Sequence, residues 1–116
     1  MSTITRLGTS PRWSDVVIHG GVARWVEVAE DASQDARGQI AQVLSQIDAT
    51  LAPIRSNRRQ ILEVLIFLAD LGDAPALNEL WDGWVPAGHL PIRACVQAGL
   101  SGGCRVEMLI TAAVSG

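Results

Sequence analysis

The chain has 116 residues, the length of one domain, and we expect residues 1–116 to form a single domain. Hydrophobic residues make up 48% before the 11 glycines are counted, and charged residues reach only 18%, so the composition excludes a disordered chain. Twelve carboxylates outnumber nine arginines, there is no lysine, and the net charge is −3, which argues against a nucleic-acid partner.

No segment resembles a targeting or membrane-spanning sequence. The first ten residues lack the apolar stretch of a signal peptide. The longest uninterrupted apolar stretch, residues 64–69, is far shorter than the ~20 residues that cross a bilayer. Cys95 and Cys104 have neither redox-motif nor zinc spacing, so two half-buried free thiols are expected. We therefore expect a soluble, cytoplasmic protein with no membrane partner.

The N-terminal third predicts strands. Residues 1–15 are polar and rich in turn formers, so they offer at most a short edge strand. The β-branched residues 16–18 begin a strand that ends at Gly20 and Gly21, which predicts a hairpin. Its second strand runs from residue 22 to about 28, although Arg24 and Trp25 break a clean alternation.

Residues 33–51 carry the strongest periodic signal in the chain. One apolar stripe at helical spacing contains Ile40, Val43, Leu44, Ile47 and Leu51. Ser33 or Asp31 is expected to cap this helix, and Pro53 to end it.

The second half predicts a strand, a helix and two more strands. Residues 61–69 are mostly continuous apolar, which is typical of a strand covered on both faces. Asp73 is expected to cap a second helix. Strands at 92–98 and 105–113 flank a glycine turn at 102–103. The order ββαβαββ predicts an α+β fold with both helices on one sheet face, and we expect a partner subunit on the other.

Two charged residues lie within these final apolar strands. Arg93 shares a strand face with Cys95 and Gln97, and Glu107 lies in the last strand. A hairpin centred near residue 101 would place Glu107 opposite Cys95 and diagonal to Arg93. The residues alone leave two interpretations open, a structural ion pair and a reactive pair. His19 and His89 are each expected to be structural.

The residues around Arg93 and Glu107 resemble the signature of the YjgF/RidA family of imine and enamine deaminases. The resemblance extends over essentially the whole chain, and its segments are residues 4–6, 16–21, 68–71, 78–89, 91–96, 106–108 and the first helix. It implies a chorismate-mutase-like homotrimer with three interfacial pockets. Arg93 would bind the carboxylate of a 2-imino acid, Glu107 would position or activate water, and Cys95 would line the pocket. No metal or cofactor is implied.

One segment departs from the family pattern. The family usually has an aromatic-x-Ser-Gly-Gln sequence in its second strand, whereas residues 23–28 lack the serine and carry Glu27 in place of the glutamine. Trp13 or Trp25 is expected to supply the aromatic wall of the pocket. We hypothesise that Trp25 or Glu27 narrows this pocket and makes the protein more selective.

The resemblance therefore predicts a hydrolase of the 2-iminobutanoate/2-iminopropanoate deaminase type, which would release ammonia and a 2-oxo acid. A trimer that kept the fold and became a ligand-binding or regulatory protein is the first alternative. Endoribonuclease activity, which is attached to some members of the family, is less compatible with the acidic composition.

Overall fold

A computed structural model describes residues 3–115, which form one six-stranded mixed sheet and two helices. In chain order the elements are β1 (Thr5–Leu7), β2 (Val16–His19), β3 (Val22–Val28), α1 (Ala36–Leu51), β4 (Ile61–Leu68), α2 (Ala74–Trp84), β5 (Ile92–Gln97) and β6 (Val106–Ala113). The strand order across the sheet is β1-β2-β3-β6-β4-β5. The predicted α+β class and element order are confirmed. In the described part, no helix is long and apolar enough to cross a membrane.

The N-terminal hairpin forms where the sequence predicts it. Gly20 and Gly21 both have positive φ values, 59° and 77°, which glycine adopts without steric cost. The turn joins β2 to β3, and β1 pairs with β2 as the predicted short edge strand. In β3, Ala23 and Trp25 are buried while Arg24 is exposed, so the strand alternates normally.

Helix α1 begins later than the sequence predicted. Its cap is Asp35, whose side chain accepts a 2.8 Å hydrogen bond from the amide of Gly38. The expected cap at Ser33 or Asp31 is wrong, because Asp31 is occupied in accepting a bond from the amide of Ser33. The predicted apolar stripe is buried along its length, and the helix ends at Leu51, before Pro53.

The two final strands do not form the predicted hairpin. Strand β6 is inserted between β3 and β4 and is antiparallel to both. Strand β5 lies at the sheet edge and pairs only with β4, in parallel orientation. The predicted register between Cys95 and Glu107 is therefore wrong, since the glycine turn sends the chain past β4 instead of back along β5. Both helical crossovers, β3–α1–β4 and β4–α2–β5, join parallel strands.

The helices cover one face of the sheet and leave the other open within a single chain. In β4 the core positions Val64, Ile66 and Leu68 are fully buried, whereas the residues between them are partly exposed. The coverage of β4 on both faces expected from its apolar sequence is thus absent in one chain. The open face includes Val26, Val28 and Val96, which are 52%, 38% and 43% exposed.

A buried glutamine fixes the start of β6. Gln39 of α1 is fully buried, and its side-chain amide donates to the carbonyls of Ala32, Gln34 and Gly103 at 3.2, 3.0 and 3.1 Å. Its carbonyl oxygen accepts from the amide of Arg105 at 2.8 Å. A second bond holds the same segment, since the Arg105 guanidinium donates to Asp73 at 2.8 Å. Asp73 stands at the cap position of α2 but makes no capping bond there.

We predict that Gln39→Leu lowers the free energy of unfolding by about 2–4 kcal/mol, because buried polar groups lose their partners. Denaturant unfolding at fixed protein concentration measures the effect. The control is Gln42→Leu, one turn away, where a more exposed glutamine bonds the backbone of Asp31; it should cost less than about 1 kcal/mol. An equal loss of unfolding free energy in the two variants would contradict the conclusion that Gln39 fixes the start of β6.

Candidate functional site

Arg93 lies on the edge strand β5, on the sheet face that carries the helices. It pairs with Val64, which pairs in turn with Ile110, and both partners belong to the core. Its guanidinium donates a 2.9 Å hydrogen bond to Oδ1 of Asn78 in α2. The guanidinium carbon also lies 5.3 Å from the centre of the Trp81 ring, within cation–π distance. The arginine is exposed and therefore accessible to a ligand.

The partners of Arg93 are electrically neutral, unlike those of three other arginines. Arg37, Arg58 and Arg105 each contact a carboxylate, at 3.0, 2.7 and 2.8 Å respectively. No ion pair among residues 3–115 includes Arg93. Because β5 is a solvated edge, the arginine needs no internal carboxylate there. Its charge is available to an anionic ligand, and a guanidinium suits a carboxylate in bidentate geometry.

Cys95 and Gln97 follow Arg93 on the same face, as the alternation predicted. Cys95 pairs with Ile66 and is partly buried, and Gln97 accepts a 2.9 Å bond from the amide of Leu71. Burial raises the pKa of the Cys95 thiol, while the positive charge of Arg93 acts in the opposite direction. At neutral pH Cys95 is therefore a protonated thiol beside the arginine. Both Cys95 and Cys104 are free and partly buried, as expected.

Glu107 lies on the opposite face of the sheet from Arg93. It pairs with Phe67 and Val28 on the open face and is partly buried among apolar neighbours. Two strand spacings and three residues separate it from Arg93, so the two Cα atoms are about 14 Å apart. The predicted diagonal contact is wrong, because β4 lies between the two strands. The structure thus brings Arg93 and Cys95 together, whereas Glu107 lies away from both residues.

The second-strand residues expected at the pocket face the core instead. Trp25 is only 4% exposed, and its Nε1 donates to Glu27 at 3.0 Å. Glu27 also accepts bonds from Thr50 and Gln46 of α1, at 2.6 and 3.1 Å. In a single chain Trp25 is thus part of the core and Glu27 is bonded to α1, whereas the hypothesis that either residue narrows the pocket stays a prediction. Trp13, by contrast, is 66% exposed.

Sequence reasoning missed two residues that contact Arg93. Asn78 and Trp81 belong to the segments that carry the family resemblance, but the sequence assigns neither of them to the site. They stand three residues apart on α2 and therefore share one helix face. That spacing, together with the parallel β4–α2–β5 crossover, is the signal that could have placed them beside β5.

Other features lie away from these residues. An open groove of about 520 Å³ lies between α1 and α2, and none of Arg93, Cys95 or Glu107 lines it. His19 and His89 are exposed at a strand end and in a loop. Within residues 3–115, no three His, Cys, Asp or Glu side chains are grouped so that they could hold a metal ion.

Comparison with known proteins agrees with this arrangement of strands and helices. A family model described as endoribonuclease L-PSP matches residues 3–114. The RutC family protein YoaB of Escherichia coli K12 is 49% identical over 113 residues, which cover 97% of this chain and 99% of the relative. A RutC family protein of Haemophilus ducreyi is 39% identical and covers 97% of each chain.

A crystal structure extends the similarity to three dimensions. A member of the YjgF protein family from Neisseria meningitidis superposes with a TM-score of 0.92 at 40% identity, covering 98% of this chain and 97% of the other. The fold and the sequence together define a protein of the YjgF/RidA class. The chain belongs to this family, which the matching family model describes as endoribonuclease L-PSP and which includes the RutC proteins.

We predict that the alkylation rate of Cys95 rises with pH at a midpoint above that of an exposed thiol, because burial raises its pKa. In Arg93→Ala the midpoint should move higher still, since a stabilising positive charge is lost. Mass spectrometry in a Cys104→Ser background measures the rate, with Arg37→Ala as the control for a distant cation. A midpoint that falls in Arg93→Ala would contradict the conclusion that the Arg93 charge lowers the pKa of the Cys95 thiol.

Proposed function

We propose that the protein is a homotrimeric hydrolase that converts reactive 2-imino and enamino acids into 2-oxo acids and ammonia. In this reaction water adds to the C=N carbon, and the C–N bond then breaks so that nitrogen leaves as ammonia. Family membership supports the class of protein. The observation that supports this substrate class is the Arg93 guanidinium, which has no carboxylate partner among residues 3–115, because every 2-imino acid has a carboxylate that it could bind.

In the proposed site, Arg93 binds the substrate carboxylate through the guanidinium donors that Asn78 leaves free. Within residues 3–115 its side chain makes one hydrogen bond, so most of its five N–H groups can face a ligand. Cys95 lies next to it on β5 and lines the same pocket. Imine hydrolysis then needs only a positioned water molecule and a group that accepts and returns a proton.

Glu107 is proposed to be the group that accepts and returns the proton, in a site shared between subunits. Its carboxylate lies on the open face, behind β4 as seen from Arg93. The exposed apolar residues of this face, among them Val26 and Val96, favour its coverage by a second copy of the chain. Pockets at the subunit boundaries would then receive Glu107 and Trp13, which is the exposed candidate for an aromatic wall.

The proposed reaction requires no metal or organic cofactor, and its partners are the imino acid, water and two further copies of the chain. We also propose a cytoplasmic location. Both cysteines are free thiols, the state that a reducing compartment maintains.

A non-catalytic, ligand-binding trimer is the second candidate. It is favoured by the change in β3, where Trp25 is buried and the Glu27 carboxylate is bonded to Trp25 and to Thr50 and Gln46 of α1. Such a protein would bind 2-oxo or 2-imino acids at Arg93 without hydrolysing them. An ammonia-release assay on imines generated in situ by an amino-acid oxidase distinguishes the two candidates.

We predict that Arg93→Ala reduces kcat/KM by about 30- to several-thousand-fold, because the substrate carboxylate loses its charged partner. Arg93→Lys should restore little, since a point charge does not reproduce the guanidinium fork. Glu107→Gln should lower kcat by about 10²–10⁴ with little change in Tm. The ammonia assay and thermal unfolding are measured on the same samples.

Arg37→Ala is the matched control, because it removes an exposed arginine of α1 that is paired with Glu79. It should leave both turnover and Tm nearly unchanged. Normal turnover in the Arg93 and Glu107 variants, with lowered Tm, would show that these residues are structural and would refute the catalytic assignment.

We predict a particle of about three times 12.4 kDa in light scattering at micromolar concentration. Val26→Asp should dissociate it, because a charge is placed on the apolar open face. Ala49→Asp, on the exposed side of α1, should not. A monomeric mass for the wild-type protein would contradict both the proposed trimer and the proposed pockets between its subunits.

A further inference from the structure

We infer that Asn78 and Trp81 are positioning residues that hold the Arg93 guanidinium in place without neutralising it, so that Asn78 sets the affinity of the protein for carboxylates. The inference rests on the proposed function in one respect only, the assignment of Arg93 as the carboxylate-binding group. The Arg93 guanidinium donates a 2.9 Å hydrogen bond to Asn78 and lies 5.3 Å from the centre of the Trp81 ring.

The neutrality of Asn78 is the central point. An amide oxygen accepts a hydrogen bond from the guanidinium but carries no full charge. An aspartate of the same shape would form an ion pair, as Asp48 does with Arg58. The next residue on α2, Glu79, is a carboxylate that pairs with Arg37. The helix thus places the Glu79 carboxylate beside a different arginine and presents the Asn78 amide to Arg93.

Trp81 supplies a fixed surface for the guanidinium. Its side chain is buried, and its ring centre lies 5.6 Å from that of Trp84 on the next turn of α2. Two contacts hold Trp84 in place. Its Nε1 donates to Asp48 at 3.2 Å, and the Arg58 guanidinium lies 5.2 Å from its ring centre. A chain of packed side chains therefore runs from the Asp48–Arg58 ion pair to Trp81, and it limits movement of the surface on which Arg93 rests.

The test is the isosteric substitution Asn78→Asp. The introduced carboxylate competes with the ligand for Arg93, so the Kd for 2-oxobutanoate measured by calorimetry should rise about 10- to 100-fold. In the ammonia assay KM should rise by a similar factor, with little change in kcat. Asn78→Ala should weaken binding about 3- to 10-fold, because only one hydrogen bond is lost. The matched control, Glu79→Gln, should leave the Kd unchanged.

Stability separates this role from a structural one. Asn78→Asp creates an ion pair, so its Tm should equal or exceed that of the wild type, and weaker binding cannot then be attributed to unfolding. Wild-type affinity in Asn78→Asp would overturn the inference even if the protein is an active deaminase, as would a wild type that fails to bind 2-oxobutanoate. If binding falls as expected while no ammonia is released by the wild type, the positioning role stands and the deaminase function fails.

Discussion

The structure depends on the insertion of β6 between β3 and β4. This central strand pairs on both sides, and its core positions Val106, Met108 and Ile110 are fully buried beneath the helices. The crossover through α1 only brings β3 and β4 to a distance that a further strand can fill. Gln39 fixes where that strand begins, because it binds the carbonyl before Cys104 and the amide of Arg105 at once. The helix, the turn and the central strand are therefore joined through a single side chain.

The same insertion determines the chemistry of the two family residues. By separating β5 from β6, it leaves Arg93 on a solvated edge and turns Glu107 to the opposite face. A direct ion pair within one chain is prevented, so each side chain is left available to another partner. An arginine paired with its own glutamate would bind an external carboxylate less well, because the ligand would first have to displace the internal one. This separation favours the proposed pocket at a subunit boundary over a pocket inside one chain.

Local features of the fold were readable from the sequence, and long-range pairing was not. The paired glycines 20 and 21 and the stripe of α1 are set by backbone sterics and helical period, which act over a few residues. The glycine turn near 102 has the same local appearance as a hairpin, and nothing in its spacing indicates that β4 intervenes. The motif names Trp25 as one of two aromatic candidates for the pocket, but the face on which Trp25 lies is set by its pairing with Ile110 in the core. Arg93 was correctly placed on a face with Cys95, but the neutral contacts from α2 required the three-dimensional arrangement.

The central position of β6 also has a consequence for the order of folding. Before residues 106–113 dock, β3 and β4 are parallel strands that each present an unpaired edge to the gap between them. Closing this gap joins segments far apart in the chain, and such non-local contacts form slowly. A chain in which β6 has not docked would be open to strand exchange with a second molecule, because the same strand of another chain could fill the gap. The step that completes the sheet would thus also be the step at which intermolecular misassembly competes with folding.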